Sequence, residues 1–490
     1  MSRTARLPIF LERGDRTLQD QIYHSIRHCI VEGLVGADCR LPSTRVLAAE
    51  LRVSRTTALL ALEQLRAEGY IVARRGSGTF IAPRLPEHRP ADAAPPPSAM
   101  ARPPFSRRGE LLAQMRAPDR RRAASPACAF RLGTPALDVF PQRTWAQLTR
   151  EILRTTQPAH RDYGELAGFR PLRAAIAEQM QSRGTRCDPD QVQVVMGAQR
   201  GLDHIARMLL DPGDVVWMED PGYTGARGAM LAASAIVLPV PVDDEGMTIG
   251  ATTMGAATAE ARLAYITPSC QFPLGVAMSL DRRRALLEWA RRSHAWIVED
   301  DYDCDLRHDR EPLPCLHALD PDGRVIYVGT FSKTLFPALR LGFLIVPRDL
   351  QSGFVAARFA TDLHPPLLEQ RVLAAFIQRG HYDRHLRRMQ AVYAERLDAL
   401  RRAVERCGAP LRLRPVQAGM HAVVDVDGID AERLHAAAAA QGIESMPLSA
   451  YYSGPGRRPN ALLLGFGAVP PAVIRAGVTK LARVIEALRD

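Results

Sequence analysis

One lysine stands out among the residues that could do chemistry. Of the 64 basic residues in the chain, only Lys333 and Lys480 are lysines, and arginine cannot replace lysine in amine chemistry. Lys333 lies in GTFSKTLFP, residues 329–337, after an apolar run and among small hydroxyl residues. Arg340 follows, and a guanidinium can bind a phosphate through two parallel hydrogen bonds. The segment predicts a reactive amine beside a phosphate, and an ordinary exposed lysine is the weaker interpretation.

Three other stretches carry polar groups after apolar runs. GAQRG, residues 197–201, opens a predicted helix whose amides suit a phosphate, although a glycine kept for close packing explains it more simply. In EDDY, residues 299–302, Asp300 could keep a ring nitrogen protonated and Tyr302 could donate to a phenolate oxygen. Acidic residues at a strand end are as often solvated or metal-binding. PSCQFPLG, residues 268–275, has turn residues that a plain loop would explain equally well.

These stretches need a frame of alternating strands and helices. From residue 127 onward short apolar strands alternate with helical segments, which is typical of a layered α/β domain. All four stretches follow such strands and therefore lie on loops. The predicted strands cover residues 192–196, 215–218, 264–266, 296–298 and 325–328.

The first 82 residues predict three helices and a hairpin. Apolar residues at helical spacing predict a helix over residues 18–31, and Ser43 and Ser54 are placed to cap a second and a third. Apolar runs at 70–73 and 79–81 enclose the basic, glycine-rich tip RRGSG, a wing able to lie along a groove. The third helix would bury one face, made of Ala58, Ala61, Leu62 and Leu65.

Charge and composition divide the chain further. The net charge of +11 splits into +4 for residues 1–82, +5 for residues 83–126 and +2 for the remainder. This split indicates that only the first quarter meets a polyanion, although a solvated, arginine-rich surface would also explain it. Residues 83–104 contain eight prolines, so we assign residues 83–126 as a linker.

The overall composition limits the class of protein. With 47% hydrophobic and 24% charged residues, the chain is expected to be globular rather than collagenous, disordered or membrane-spanning. No secretory signal is visible at its start. Its eight cysteines form no C-x-x-C pair, so we expect reduced thiols rather than a disulfide frame or a metal site.

The head carries a specific family resemblance. LPSTRVLAAELRVSRTTALLALEQLRAEGYIVARRGSGTFI, residues 41–81, resembles the winged helix-turn-helix of GntR-type bacterial regulators. The third helix would present its first turn to base edges and phosphates of double-stranded operator DNA. Leu59, one helical turn further on, is apolar where a polar contact would be expected. The alternative is a small helical domain with solvated arginines. The resemblance implies six DNA-binding residues: Arg45, Ser54, Arg55, Thr56, Arg75 and Gly76.

Residues 127–490 resemble a fold-type I aminotransferase domain, an α/β body that binds pyridoxal 5′-phosphate. The resemblance rests on the four stretches together. It implies three catalytic residues: Lys333 forms a Schiff base with the cofactor aldehyde, Asp300 binds the pyridine nitrogen and Tyr302 binds the 3′ oxygen. The implied cofactor-binding set is Gly197, Ala198, Gln199, Tyr223, Asp300, Tyr302, Thr330, Ser332, Lys333, Arg340 and Tyr163.

Two tyrosines of this set have special places in the resemblance. Tyr163 matches a tyrosine that reaches the phosphate across a dimer interface, which would make the dimer necessary for the site. Tyr223 would lie near the cofactor ring, and core packing is nearly as good an explanation for it.

Two positions depart from the aminotransferase pattern. Phe272 occupies the place of an asparagine that contacts the cofactor oxygen, as it tends to in the regulatory relatives. Leu463 aligns with the arginine that binds the α-carboxylate of an amino-acid substrate, and Arg457 and Arg458 lie nearby in the sequence. An ordinary amino-acid transamination is therefore not the expected activity.

The combination resembles the MocR/GabR family of bacterial transcription regulators. It implies a DNA-binding head (residues 1–82), a linker (83–126) and a body for effector binding and dimerisation (127–490). We expect a cytoplasmic homodimer, head-to-tail, that senses an amine or amino-acid-like effector, or the cofactor itself, through an aldimine at Lys333. The alternatives are a competent pyridoxal-phosphate-dependent aminotransferase and a cofactor-free dimerisation scaffold.

Overall fold

The chain forms two compact units, Met1–Pro104 and Phe105–Asp490. The structure, a computed structural model, describes residues 9, 17–74, 77–83, 85, 105–115, 129–181, 184–249, 261–303, 306, 314–454, 456 and 458–489. Most of the predicted linker lies outside these ranges. Of its described residues, 83 and 85 belong to the first unit and 105–115 to the second. Within the described ranges, no helix is long and apolar enough to cross a membrane.

The first unit consists of three helices and a hairpin. Its elements are α1 (Leu18–Val31), α2 (Thr44–Leu51), α3 (Arg55–Ala67), β1 (Ile71–Arg74) and β2 (Gly78–Ile81). The predicted caps are confirmed: Ser43 Oγ accepts from the Val46 amide at 3.3 Å and Ser54 Oγ from the Thr57 amide at 3.0 Å. The four α3 residues predicted to be buried are at most 6% exposed. β1 and β2 pair antiparallel, as expected for a wing.

The second unit is built on an eight-stranded mixed sheet. Across the sheet the order is β3-β10-β9-β8-β7-β4-β5-β6, with β9, β8, β7, β4 and β5 parallel and β10 antiparallel to both its neighbours. The carboxyl ends of β3, β4, β7, β8 and β9 therefore lie along one edge of the sheet. These five strands are the five that the sequence predicts. The bounds are β3 (Val192–Val195), β4 (Val215–Asp220), β5 (Ile236–Asp243), β6 (Gly246–Met247), β7 (Ala261–Ile266), β8 (Trp296–Asp300), β9 (Val325–Thr330) and β10 (Gly342–Ile345).

Helices cover both faces of this sheet, which explains its almost wholly apolar central strands. One face packs against α7 and α8, and the other against α5, α6, α9 and α12. Helix α4 also lies on α8, where Met115 approaches Gly228. The bounds are α4 (Arg107–Ala113), α5 (Gln142–Thr155), α6 (Arg170–Gln181), α7 (Ala198–Leu209), α8 (Thr224–Ala232), α9 (Leu280–Arg292), α10 (Leu316–Leu319), α11 (Gln351–Arg358) and α12 (Leu367–Gln378).

A smaller antiparallel sheet follows in the chain. Its strand order is β11-β12-β14-β13, and one face packs against α13, α14 and α15. The opposite face of β14 carries Leu463 into a separate apolar cluster. The bounds are α13 (His381–Arg406), β11 (Leu411–Leu413), β12 (His421–Val426), α14 (Ala431–Ala440), β13 (Met446–Pro447), β14 (Ala461–Gly465) and α15 (Pro471–Arg489).

Candidate functional site

Lys333 lies on the turn directly after β9, at the shared edge of the large sheet. Its Nζ donates to the carbonyl oxygen of Gly133 at 3.0 Å. The turn is fixed by α13, because Tyr382 donates to Thr334 Oγ1 at 3.0 Å and His385 Nε2 lies 2.8 Å from the Thr334 carbonyl oxygen. The lysine amine is therefore held by the half-buried Gly133, and the next residue of the turn is held by two buried residues of α13.

Asp300 ends β8 at the same edge and is 5% exposed. Its Oδ2 accepts from the Tyr265 hydroxyl at 2.8 Å, whereas its buried Oδ1 has no hydrogen-bond partner. Burial raises the pKa of this carboxyl to about 7, against the opposing effects of the Tyr265 hydrogen bond and the Lys333 charge. The site therefore contains a buried acceptor with an unused oxygen, close enough to Lys333 to sense its charge.

Gly197 and Arg340 form a cationic corner beside β3. Gly197 has a φ of +80° and precedes α7, whose first amides have no partner within the helix. The Arg340 guanidinium lies 3.4 Å from the position a Cβ would take on Gly197, and its Nη2 donates to the Met196 carbonyl at 3.2 Å. A helix N-terminus beside a guanidinium is suited to an anion such as a phosphate.

The remaining predicted residues of this corner lie around it. Ala198 and Gln199 form the first turn of α7, and Gln199 Nε2 donates to the Gly225 carbonyl at 2.8 Å. Thr330 ends β9, and its Oγ1 accepts from the Ser332 amide at 3.2 Å. Gly342 lets the backbone after β9 and the start of α7 lie close together, because a Cβ there would lie 2.8 Å from the Gly329 oxygen and 3.1 Å from the Ala198 nitrogen.

Phe272 is the centre of an aromatic cluster. Its ring centroid lies 5.9 Å from Tyr223, 6.0 Å from Tyr302, 5.5 Å from His421 and 5.1 Å from Tyr451. The Tyr223 hydroxyl donates to Gln199 Oε1 at 3.2 Å, and that of Tyr302 donates to Cys270 Sγ at 3.7 Å. The structure thus brings Tyr223 and Tyr302, both predicted to lie at the cofactor, into contact with Phe272.

Tyr163 is set apart from the other predicted residues. Its side chain is 81% exposed, and its ring contacts His364 at a centroid distance of 6.3 Å. In a single chain the structure does not bring Tyr163 into the aromatic cluster. An exposed tyrosine is the arrangement expected if a second subunit covers it.

The position predicted to lack an arginine is apolar. Leu463 is fully buried on β14. Arg458 is exposed and donates through Nη1 to the Ser449 carbonyl at 3.3 Å, and Arg457 lies outside the described residues. Leu463 packs with Leu132, Leu274, Val423, Met446, Leu448, Tyr451, Tyr452 and Ala461.

In the head, four of the six predicted DNA-binding residues are described and all four are exposed. Arg45 lies in the first turn of α2, and Ser54, Arg55 and Thr56 lie at the start of α3. Ser54 uses its hydroxyl to cap α3. Arg75 and Gly76, at the wing tip, lie outside the described residues. Leu59 is 42% exposed on the same helix, as expected.

Sequence reasoning missed two residues that position the site. Gly133 holds the Lys333 amine and Tyr265 holds Asp300, yet neither forms part of a stretch with evident chemistry. The only signal for Gly133 was a glycine in the segment LGTP, and Tyr265 resembled any aromatic residue of a buried strand.

Comparisons with known proteins support both halves of the chain. The family described as aminotransferase class I and II matches residues 130–476, and the family described as bacterial regulatory proteins, gntR family, matches residues 18–81. The chain is 40% identical over 97% of its length to the probable rhizopine catabolism regulatory protein MocR of Rhizobium meliloti, covering 95% of that protein. It is 33% identical over 95% of its length to the HTH-type transcriptional regulator TauR of Rhodobacter capsulatus, covering 97%.

A solved structure supports the fold of the body. Pyrococcus horikoshii kynurenine aminotransferase, in a complex with pyridoxamine phosphate, superimposes with a TM-score of 0.71 at 30% identity. The match covers 79% of this chain and 98% of that one. The predicted fold class and the predicted cofactor, pyridoxal phosphate, are confirmed.

The described residues fit that cofactor. It carries a pyridine nitrogen, a phosphate and an aldehyde, and it supplies an electron-withdrawing ring for chemistry at an amine. Asp300 Oδ1 is a buried acceptor that still has capacity for the ring nitrogen, and the corner of Gly197 and Arg340 suits the phosphate. The amine of Lys333 lies at the same edge of the sheet.

Both parts of the chain now have an assignment. The head is a DNA-binding domain of the gntR type, and the body has the aminotransferase class I and II fold with pyridoxal phosphate as its cofactor. Relatives that match over nearly the whole length of the chain are named as transcription regulators. The chain therefore belongs to the MocR-type family of transcription regulators.

Proposed function

We propose that the body senses an amine or amino-acid-like effector that competes with Lys333 for the cofactor. Replacement of the lysine amine would release Nζ from the cofactor while Gly133 and the braced turn keep the side chain in place. The conformational balance of the body would shift by the difference between the effector's affinities for its two states, and this shift would reposition the heads on operator DNA.

One observation carries this proposal: Lys333 is held at the sheet edge where Asp300 and Arg340 also lie. Its Nζ is held by Gly133 at 3.0 Å. Burial raises the pKa of Asp300 and lowers that of His421, and the Lys333 charge opposes the first shift and adds to the second. In a chain with only two lysines, this placement supports a retained amine function. It speaks against a body that is only a scaffold.

The same proposal assigns roles to the other predicted residues. Asp300 would bind the ring nitrogen and Tyr302 the 3′ oxygen, with Tyr223 beside the ring. Arg340 would bind the phosphate together with Gly197, Ala198, Gln199, Thr330 and Ser332. In the head, Arg45, Ser54, Arg55, Thr56, Arg75 and Gly76 would contact operator DNA, and Leu59 would limit base readout beyond the first turn of α3.

We also propose a cytoplasmic, head-to-tail homodimer in which Tyr163 completes the phosphate site of the partner subunit. Its 81% exposure in one chain supports such a role. The domain boundaries proposed from the sequence go with it: head 1–82, linker 83–126 and body 127–490. The proline-rich residues 83–104 favour an extended chain that could span about 70 Å, which is enough reach to place a head on the other subunit.

Borohydride trapping tests the role of Lys333. Reduction should fix the cofactor covalently to the wild-type protein and to Lys480→Ala, but not to Lys333→Ala. Lys480 is a matched control because it is the only other lysine and lies exposed on α15. Lys333→Ala should still bind operator DNA, but added amines should no longer change its affinity for DNA. Covalent labelling of Lys333→Ala would refute the proposal.

A turnover assay separates the regulator from the competent aminotransferase. We expect no steady transamination between amino acids and 2-oxo acids, because Leu463 provides no cation for a substrate carboxylate. Sustained turnover at rates typical of enzymes, about 1 per second or faster, would favour the enzyme instead.

A further inference from the structure

The wall beside Lys333 is apolar where an amino-acid site needs a cation. Leu463 is fully buried in a cluster that includes Leu132 and Leu274. Leu132 directly precedes Gly133, whose carbonyl holds the Lys333 amine. The apolar cluster therefore includes the chain neighbour of the glycine that holds the Lys333 amine.

A second route connects the same cluster to the cofactor site. Tyr451 belongs to the cluster and also packs against Phe272, with ring centroids 5.1 Å apart. Phe272 in turn contacts Tyr302 and Tyr223. Whatever is bound to the cofactor beside Lys333 would thus meet a surface of leucine, phenylalanine and tyrosine.

Hydrogen bonds from backbone amides hold the Tyr451 end of this wall against the end of β4. The Gly222 amide donates to the Tyr451 carbonyl at 3.1 Å, and Asp220 at the end of β4 accepts from the amides of Ser453 at 2.6 Å and Gly454 at 3.2 Å. Burial raises the pKa of the Tyr451 phenol to about 12. Tyr451 therefore stays uncharged at neutral pH.

Two arginines next to the cluster already have carboxylate partners, whereas the exposed Arg458 donates to the Ser449 carbonyl. Arg131, next to Leu132, binds Glu444 through two nitrogens at 2.9 to 3.2 Å. Arg414, whose charge is close enough to influence the Tyr452 phenol, binds Asp425 at 2.7 to 3.2 Å. Unless it recruits Arg458, a carboxylate beside the described residues of the cluster would have to displace one of these acids or remain without a cation, and either is costly at a desolvated position.

We propose that the effector is a primary amine without a carboxylate group, whose uncharged substituent packs against the cluster around Leu463. This inference rests on the proposed function, since it concerns the amine that competes with Lys333. It narrows the effector class from amines and amino acids to amines alone.

Matched pairs of ligands test the inference on the full-length protein with its cofactor. Each pair differs by one carboxylate and has an uncharged substituent: ethylamine and alanine, isobutylamine and valine, tyramine and tyrosine, with both enantiomers of each amino acid. The readouts are the absorption spectrum of the bound cofactor and the affinity for operator DNA. We expect the amine of each pair to saturate the spectral change at a concentration at least about tenfold lower than the amino acid requires.

Three variants sharpen the test. Leu463→Arg should reverse the preference within each pair, because a guanidinium binds a carboxylate through two hydrogen bonds. Leu463→Met, a matched apolar control, should keep the wild-type preference. The double variant Arg457→Ala/Arg458→Ala should also keep it. If the double variant selectively weakens the amino-acid members, one of these arginines holds a carboxylate and the inference is overturned.

The wild-type pairs keep the inference falsifiable even if Leu463→Arg fails to fold. Equal responses within the pairs, or a preference for the amino acids, would overturn the inference and leave the proposed function standing. The absence of any spectral change with every member of every pair would instead overturn the proposed function.

Discussion

The carbonyl oxygen of Gly133 lies 3.0 Å from Nζ of Lys333, although the two residues are 200 positions apart in the chain. Gly133 has a φ of +68°, and a Cβ there would lie 2.8 Å from the same Nζ. The missing side chain leaves room for the end of the lysine while the carbonyl oxygen orients it. Gly133 is therefore a positioning residue for the amine.

We expect Gly133→Ala to lower cofactor occupancy without unfolding the protein. The methyl group would push the Lys333 amine from its position, and the positive φ would cost about 1 kcal/mol of stability. Absorption of the bound cofactor measures the first effect and urea unfolding the second.

Gly380→Ala is the matched control for that change. Gly380 has a φ of +69°, and a Cβ there would meet nothing within 4 Å. It should lose a similar amount of stability and keep its cofactor. Equal cofactor loss in both variants would attribute the effect to backbone strain and remove the role assigned to Gly133.

Much of the site could be predicted from residue type and local pattern. Lys333 was identified because lysine is rare in this chain, and Asp300 and Gly197 because each follows a predicted strand. The strands, the caps of α2 and α3 and the wing also follow from local rules of spacing and hydrogen bonding. These features depend on neighbours within a few residues, so a single sequence contains the information.

The supporting contacts could not be predicted because they join distant parts of the chain. Tyr265 and Asp300 are 35 residues apart, and Asp220 and Ser453 are 233 apart. The raised pKa of Asp300 likewise results from burial by surrounding elements. Such pairs are set by the order of strands in the sheet, which no local pattern specifies.

Arg55→Ala should weaken specific operator binding by about 1–3 kcal/mol, or roughly five- to 150-fold. Arg55 is exposed in the first turn of α3, where a recognition helix meets base edges. Fluorescence anisotropy with operator and scrambled DNA at fixed salt would measure the specific part.

Arg66→Ala is its control, since Arg66 is an exposed arginine in the last turn of the same helix. It should leave the ratio between operator and scrambled DNA unchanged. If both variants behave alike, the first turn of α3 does not read the sequence.

Asp300→Asn should make the cofactor-free protein less sensitive to pH. Asp300 has an ordinary pKa of 3.8 and a folded pKa of about 7, raised mainly by burial. Between these values the folded state holds a proton that the unfolded state has lost, so stability falls as pH rises, by up to about 1.4 kcal/mol per pH unit. An amide does not ionise, so urea midpoints between pH 5 and 8 should flatten.

Glu299→Gln separates this stability effect from cofactor binding. Burial also raises the pKa of Glu299 to about 7, but its carboxylate accepts from the amides of Leu316 and His317 at 2.7 and 2.8 Å, at the start of α10. Both variants should flatten the pH dependence, whereas only Asp300→Asn should bind the cofactor weakly. Full cofactor affinity in Asp300→Asn would remove the role of Asp300 at the ring nitrogen.

Tyr163→Phe should weaken cofactor retention if its hydroxyl reaches the phosphate of the partner subunit. A hydrogen bond to a charged group contributes about 1.5–3 kcal/mol, so we expect roughly ten- to a hundredfold weaker binding. Mixing this variant with Lys333→Ala provides the decisive measurement. In a mixed dimer the intact Lys333 site would receive an intact Tyr163 from the other subunit, so tight cofactor binding should appear only after subunit exchange. No tight sites in the mixture would show that Tyr163 does not act across the interface.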